Sequence, residues 1–136
     1  MKNKRFEFLE HTADIKIRAQ GKTVNEVFEN CALAISNFLS RGKPIKAKIK
    51  KKIKIEGTDD ESLLYSFLDE LVFLLDAENF VVAKASVKIK GSKLEATLSG
   101  DKAKNYDLDH IKAATYAEMY VKKTKSGFEA QFVMDV

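Results

Sequence analysis

The sequence predicts an α+β fold, with two amphipathic helices packed on a largely antiparallel β-sheet. Three observations predict it. Two segments carry apolar residues at helical spacing, and each opens on a Thr-x-x-Glu pattern, Thr23 with Glu26 and Thr58 with Glu61. Most of the remaining chain alternates apolar and polar residues with a period of two, as strands with one buried face do. Gly91-Ser92 and Ser126-Gly127 sit between alternating runs as hairpin turns.

Taken in order, Arg5 to Glu10 reads as a strand with Phe6 and Phe8 on one side. Asp14 to Gln20 is a second strand, with Ile15, Ile17 and Ala19 inward and Lys16, Arg18 and Gln20 outward. Asp14 shares the outward parity, and Gly21 ends the strand. Val24, Val27, Phe28, Cys31, Ile35, Phe38 and Leu39 then form a helical stripe, which Pro44 cannot continue. Ile45 to Glu56 reads as a long strand with Lys46, Lys48, Lys50, Lys52 and Lys54 on one face. Lys51 interrupts the opposite, apolar face, which suggests a bulge. The second helix carries Leu64, Phe67, Leu68, Leu71 and Leu75 and closes near Asp76 to Asn79. Both helices are expected against one sheet face. Phe80 to Lys90 alternates, with Val81, Ala83, Ala85, Val87 and Ile89 on one side, and Lys93 to Ser99 is its return strand. Gly100 to His110 is polar and reads as a loop. Lys112 to Lys123 and Phe128 to Met134 complete the strands.

A chain of 136 residues, 45% apolar and 32% charged, has the size and composition of one soluble domain, residues 1–136. No apolar run is long enough to cross a membrane. The basic start Met1-Lys2-Asn3-Lys4-Arg5 is not followed by an apolar signal core, so a cytoplasmic location is expected. Cys31 is the one cysteine and lies on a helical stripe; it predicts a buried thiol and no disulfide-linked partner. The net charge of +4 permits contact with RNA or an acidic surface without demanding it. The lysine row from Lys46 to Lys54 has two readings. The preferred one is a solvated face or an edge guarded by charge. The other is a stripe that tracks phosphates, without base stacking, because no aromatic residue interleaves with it.

The chemistry-bearing pattern lies near the two ends of the sequence. His11-Thr12-Ala13-Asp14-Ile15 taken alone is a polar turn with an Asx-type bond. The sequence closes on Met134-Asp135-Val136. If Val136 is the native terminus, a side-chain and a main-chain carboxylate lie on adjacent residues. A last strand beside the early one would gather Asp14, Asp135 and the Val136 carboxylate. Such an oxygen-only set suits a hard divalent cation. There is no glycine-rich phosphate loop and no serine in a nucleophile-elbow context. His11 and His110 are far apart in sequence, and His110 reads as a surface residue.

These residues resemble the archease family, small proteins that assist the ligase of tRNA splicing. The resemblance is carried by His11 to Ile15, by Leu63-Leu64-Tyr65-Ser66-Phe67-Leu68-Asp69-Glu70-Leu71, by Ile111-Lys112-Ala113-Ala114-Thr115-Tyr116 and by Asp135-Val136. The blocks stand in the family's order and span nearly the whole chain. The resemblance implies a non-enzymatic, metal-binding activator of the RNA ligase that joins 3′-phosphate to 5′-hydroxyl ends. It implies metal ligands at Asp14, Asp135 and Val136, and a divalent cation, Ca²⁺ first with Mg²⁺ or Mn²⁺ as alternatives. The ligase is the implied partner, with tRNA reached indirectly. The alternative is a chaperone-like or RNA-binding modulator of tRNA-modifying enzymes. A metal-dependent hydrolase is disfavoured, because nucleophile and base signatures are missing. One departure is Ala117, where many relatives carry histidine; no imidazole can act there.

Overall fold

A computed structural model describes residues 5–9 and 14–136. Among these residues the chain forms seven strands and two α-helices, an α+β arrangement as the sequence predicts. The strands are β1 (Phe6–Leu9), β2 (Asp14–Gly21), β3 (Ile49–Glu56), β4 (Phe80–Lys90), β5 (Lys93–Lys102), β6 (Ala113–Thr124) and β7 (Gly127–Asp135). The helices are α1 (Val24–Ser40) and α2 (Asp60–Glu78).

The strands form two sheets instead of one. The order is β1-β2-β7-β6 in the first and β3-β5-β4 in the second, and every pairing is antiparallel. Each helix therefore packs across both sheets: α1 on β2, β7 and β4, α2 on β6, β4 and β3. Phe28 of α1 meets Phe67 of α2 with ring centroids 5.8 Å apart, in a core that also buries Ile17, Leu64, Leu68, Leu98 and Phe132. Helix side chains also finish strand edges. Glu29 and Asn25 of α1 accept the β4 amides of Val87 and Ile89 at 2.8 and 3.0 Å. Glu61 of α2 accepts the β6 amide of Val121 at 3.2 Å.

The helix ends follow capping chemistry with one correction. Thr23 caps α1, its hydroxyl accepting the Glu26 amide at 3.1 Å. In α2 the cap is Asp59, not Thr58: Asp59 accepts the Ser62 amide at 2.7 Å and Ser62 returns the bond to the Asp59 amide. Either residue can cap. Moving the cap to Asp59 frees Glu61 for β6. Arg41 and Asn79 close the two helices in the left-handed conformation.

Four further expectations change. Residues Ile45 to Lys48 are not in β3, which begins at Ile49. Lys51 marks no bulge; the β3–β5 register is continuous. It occupies the inward face because its ammonium pairs with Glu78 at 2.7 Å and lies over the Phe80 ring. The bulge is in β4, between Val82 and Lys84, so Val81 does not share a face with Val87. Gly100 makes room for it, since a Cβ there would collide with the Val81 carbonyl. β5 also runs three residues past Ser99, to Lys102, into the stretch read as loop.

Candidate metal centre

β7 lies between β2 and β6, so the last strand of the sequence sits beside the second. The register is set by the inward residues. Ile15 faces Met134, Ile17 faces Phe132 and Ala19 faces Ala130; slipping by one residue would turn these out of the core. This register makes Asp14 and Asp135 direct partners, with Ala113 of β6 on the other side of Asp135. The Lys112 amide donates to the Asp135 main-chain carbonyl at 2.8 Å and ties β6 to this corner. Directly opposed residues share a face, with Cβ atoms about 4.5–5.5 Å apart. Asp14 and Asp135 thus lie on the outward face, where the sequence places Asp14. Asp135 is exposed, and the adjacent Val136 is 38% exposed.

Two carboxylates so placed repel, and like charges directly opposite destabilise a sheet. A small cation between them would remove that penalty. The donors are oxygens only, which fits Ca²⁺, Mg²⁺ or Mn²⁺ and not a thiolate-seeking metal. Among the described residues no group of three His, Cys, Asp or Glu side chains could hold a metal ion. A full shell here would need the Val136 main-chain carboxylate, water or oxygens from a partner. His11, Thr12 and Ala13 lie outside the described residues.

Next to the aspartates the outward face carries a polar network that sequence reading missed. The Lys16 ammonium pairs with Glu118 at 2.7 Å. Glu118 sits at φ 54° inside a wide irregularity of β6 between Thr115 and Tyr120. Positive φ is uncommon for such a residue, and here a side chain holds it: the Gln131 amide donates to the Glu118 carbonyl at 2.8 Å. Arg18 in turn donates to Gln131 at 2.8 Å. The Tyr120 hydroxyl donates to Glu129 at 2.7 Å. Burial and that bond push the Tyr120 phenol up to about 12. Burial alone would raise the Glu129 carboxyl, but hydrogen bonds from Tyr120 and Gln20, with Lys122 and Arg18 nearby, hold it below its ordinary value. The polar alternation of these strands was the only trace of this network in the sequence.

The remaining candidates lie on β6, just ahead of it, and on α1. Ala117 is exposed in the β6 irregularity, its amide donating to the Thr115 hydroxyl at 3.2 Å. Tyr116 stacks on Tyr65 of α2, centroids 4.2 Å apart. His110 is exposed ahead of β6. Cys31 is fully buried and burial holds its thiol protonated, as the helical stripe predicts. No helix among the described residues is long and apolar enough to cross a membrane.

The comparisons with known proteins agree with this architecture. The sequence profile of the Archease protein family matches residues 6–136. Protein archease of Pyrococcus abyssi is 39% identical over 98% of this chain and 99% of its own length. Protein archease of Methanosarcina mazei is 38% identical over 98% of this chain and 97% of its own. The solution structure of Methanobacterium thermoautotrophicum protein 1598 superposes with a TM-score of 0.80 at 31% identity, covering 97% of this chain and 99% of that one. The crystal structure of a Thermotoga maritima archease, described as a possible chaperone, shares the fold at a TM-score of 0.70 and 18% identity, covering 100% of this chain and 98% of that one. With the match running from β1 to the end of β7 and relatives aligned over almost their full length, the chain belongs to the archease family.

Proposed function

We propose that this protein is a non-enzymatic cofactor of the tRNA-splicing RNA ligase, promoting its guanylylation and its multiple turnover in the cytoplasm. The observation that carries the reading is the direct opposition of Asp14 and Asp135 across β2 and β7. The two side chains would hold a divalent cation, Ca²⁺ first and Mg²⁺ or Mn²⁺ otherwise. Where the chain ends at Val136, its terminal carboxylate is a third donor. When bound, the cation supplies positive charge that offsets the charge of nucleotide phosphates.

The protein's own residues do three things. Asp14 and Asp135 place two oxygens-bearing groups on the same outward face of adjacent strands, at one end of the sheet. The core-facing pairs Ile15–Met134 and Ile17–Phe132 fix that placement. Lys112 and Ala113 clamp the third strand against Asp135. With so few oxygens offered by the described residues, the shell has room for water or for a partner's ligands. An open shell at a sheet end suits presentation to another protein's site more than storage of an ion. The test is the rate of ligase guanylylation with and without this protein, before and after treatment of the protein with chelator. Stimulation that survives complete removal of divalent cation from this protein contradicts the reading.

A second reading is a chaperone-like modulator of tRNA-modifying enzymes. The Thermotoga protein's description as a possible chaperone favours it. Suppression of aggregation of an unrelated client, unaffected by Asp14→Ala, would distinguish it.

A further inference from the structure

The outward face of the β3-β5-β4 sheet is a lattice of ammonium groups. The register sets Lys50, Ser99 and Lys84 in one row, and Lys52, Thr97 and Ser86 in the next. Lys54, Glu95 and Lys88 follow, then Glu56, Lys93 and Lys90. The seven lysines are all exposed. Against the two glutamates they give this face a formal charge of five, while the whole chain carries +4. The rest of the molecule is therefore net −1, and the basicity of the protein is concentrated on this one face.

Edge protection accounts for the lysines of β3, which ends its sheet. It does not account for those of β4. The outer edge of β4 is already occupied by α1, whose Glu29 and Asn25 take the Val87 and Ile89 amides. Solvation alone would be served by charges of both signs, interspersed. A protein interface is also a poor match, since interface centres are depleted in lysine and built on apolar and aromatic groups. No aromatic or large aliphatic side chain stands in these four rows.

We propose that this face docks the phosphate backbone of a nucleic acid. Successive lysines along β3 are about 6.7 Å apart, and the β3 and β4 columns about 9.6 Å apart. The ammonium groups would neutralise phosphates, and the Thr97 and Ser86 hydroxyls between them can donate to phosphate oxygens. Contact is to backbone and not to bases, so binding is independent of sequence and falls steeply with salt. Acting on the opposite kind of charge and from the other sheet, this surface does not depend on the carboxylate site.

The test is fluorescence anisotropy of a labelled RNA hairpin with the full chain, in chelator and without ligase, across a salt series. Lys50→Gln/Lys52→Gln/Lys88→Gln should weaken binding about tenfold or more near 0.15 M salt and lower the salt slope by about two to three. Lys22→Gln/Lys43→Gln/Lys125→Gln removes the same charge elsewhere and should bind as wild type does. Lys50→Arg/Lys52→Arg/Lys88→Arg should retain binding, with all variants melting at the wild-type temperature. Equal losses in the two glutamine variants would overturn the proposal, since binding would then follow net charge alone. So would equal affinity for polyglutamate or for phosphatidylserine vesicles, lost in the same variant; the face would then serve an acidic protein or a membrane. Because chelator is present throughout, failure here leaves the metal reading untouched.

Discussion

Asp14 and Asp135 stand directly opposite each other in the antiparallel ladder between β2 and β7, two like charges on one face. The core side of the same strands fixes this opposition, because Ile15 meets Met134 and Ile17 meets Phe132. The carboxylate pair is therefore a consequence of packing, and it persists whether or not a cation is bound. Its cost in the metal-free protein should be measurable.

Asp14→Asn should raise the stability of the metal-free protein by about 0.2–1 kcal/mol, by relieving the repulsion. Wild type should gain about 2.7 kcal/mol in Ca²⁺ at a hundred times its Kd, and the variant much less at the same concentration. Thermal unfolding with and without Ca²⁺ measures both. An equal calcium-dependent shift in the two proteins would place the cation elsewhere.

Leu68 is fully buried on α2, in the core between the sheets. Leu68→Ala should cost about 2–5 kcal/mol in urea unfolding, through lost transfer energy and a cavity. A loss under about half a kilocalorie, the range of ordinary surface changes, would contradict the packing described.

The Tyr120–Glu129 bond should write two signatures into the pH dependence of stability. The Tyr120 pKa is raised to about 12 in the fold from its ordinary 10.0. A raised pKa means the neutral phenol is favoured in the native state. Its stabilisation is full below pH 10 and is lost as pH rises toward 12. The Glu129 pKa is lowered from 4.5, so its contribution is present above 4.5 and is lost as pH falls through the folded value. Tyr120→Phe should reduce the alkaline loss, leaving the part that belongs to Tyr106, whose phenol is also raised by its bond to Asp101, and ultraviolet titration should show one fewer late-titrating tyrosine in the variant than in wild type. An unchanged alkaline limb in the variant would show that the bond does not form in solution.

Much of the fold was legible because local chemistry decides it. The Thr23 cap, the α1 stripe through Phe28 and Cys31, and the Gly91-Ser92 turn between β4 and β5 each depend on neighbours in sequence. What was missed depends on distant partners. Lys51 looks like an interruption until Glu78 and Phe80 are brought to it. The β4 bulge exists because Gly100, on another strand, leaves space for Val81. Thr58 and Asp59 are both able caps, and the contact of Glu61 with Val121 goes with the second choice. The split into two sheets is likewise a matter of long-range pairing. At the candidate centre, parity placed Asp14 outward, but only the register of β2 against β7 brings Asp135 to it.

The central claim is that the Asp14–Asp135 corner serves the ligase, and guanylylation of the ligase tests it most directly. The assay compares wild type, Asp14→Ala, Asp135→Ala and a form extended beyond Val136, all shown to be folded. Wild type should stimulate guanylylation, both alanine variants should lose most of that stimulation, and, where the chain ends at Val136, the extension should impair it by turning that carboxylate into a neutral amide. Undiminished stimulation by both alanine variants would contradict the account.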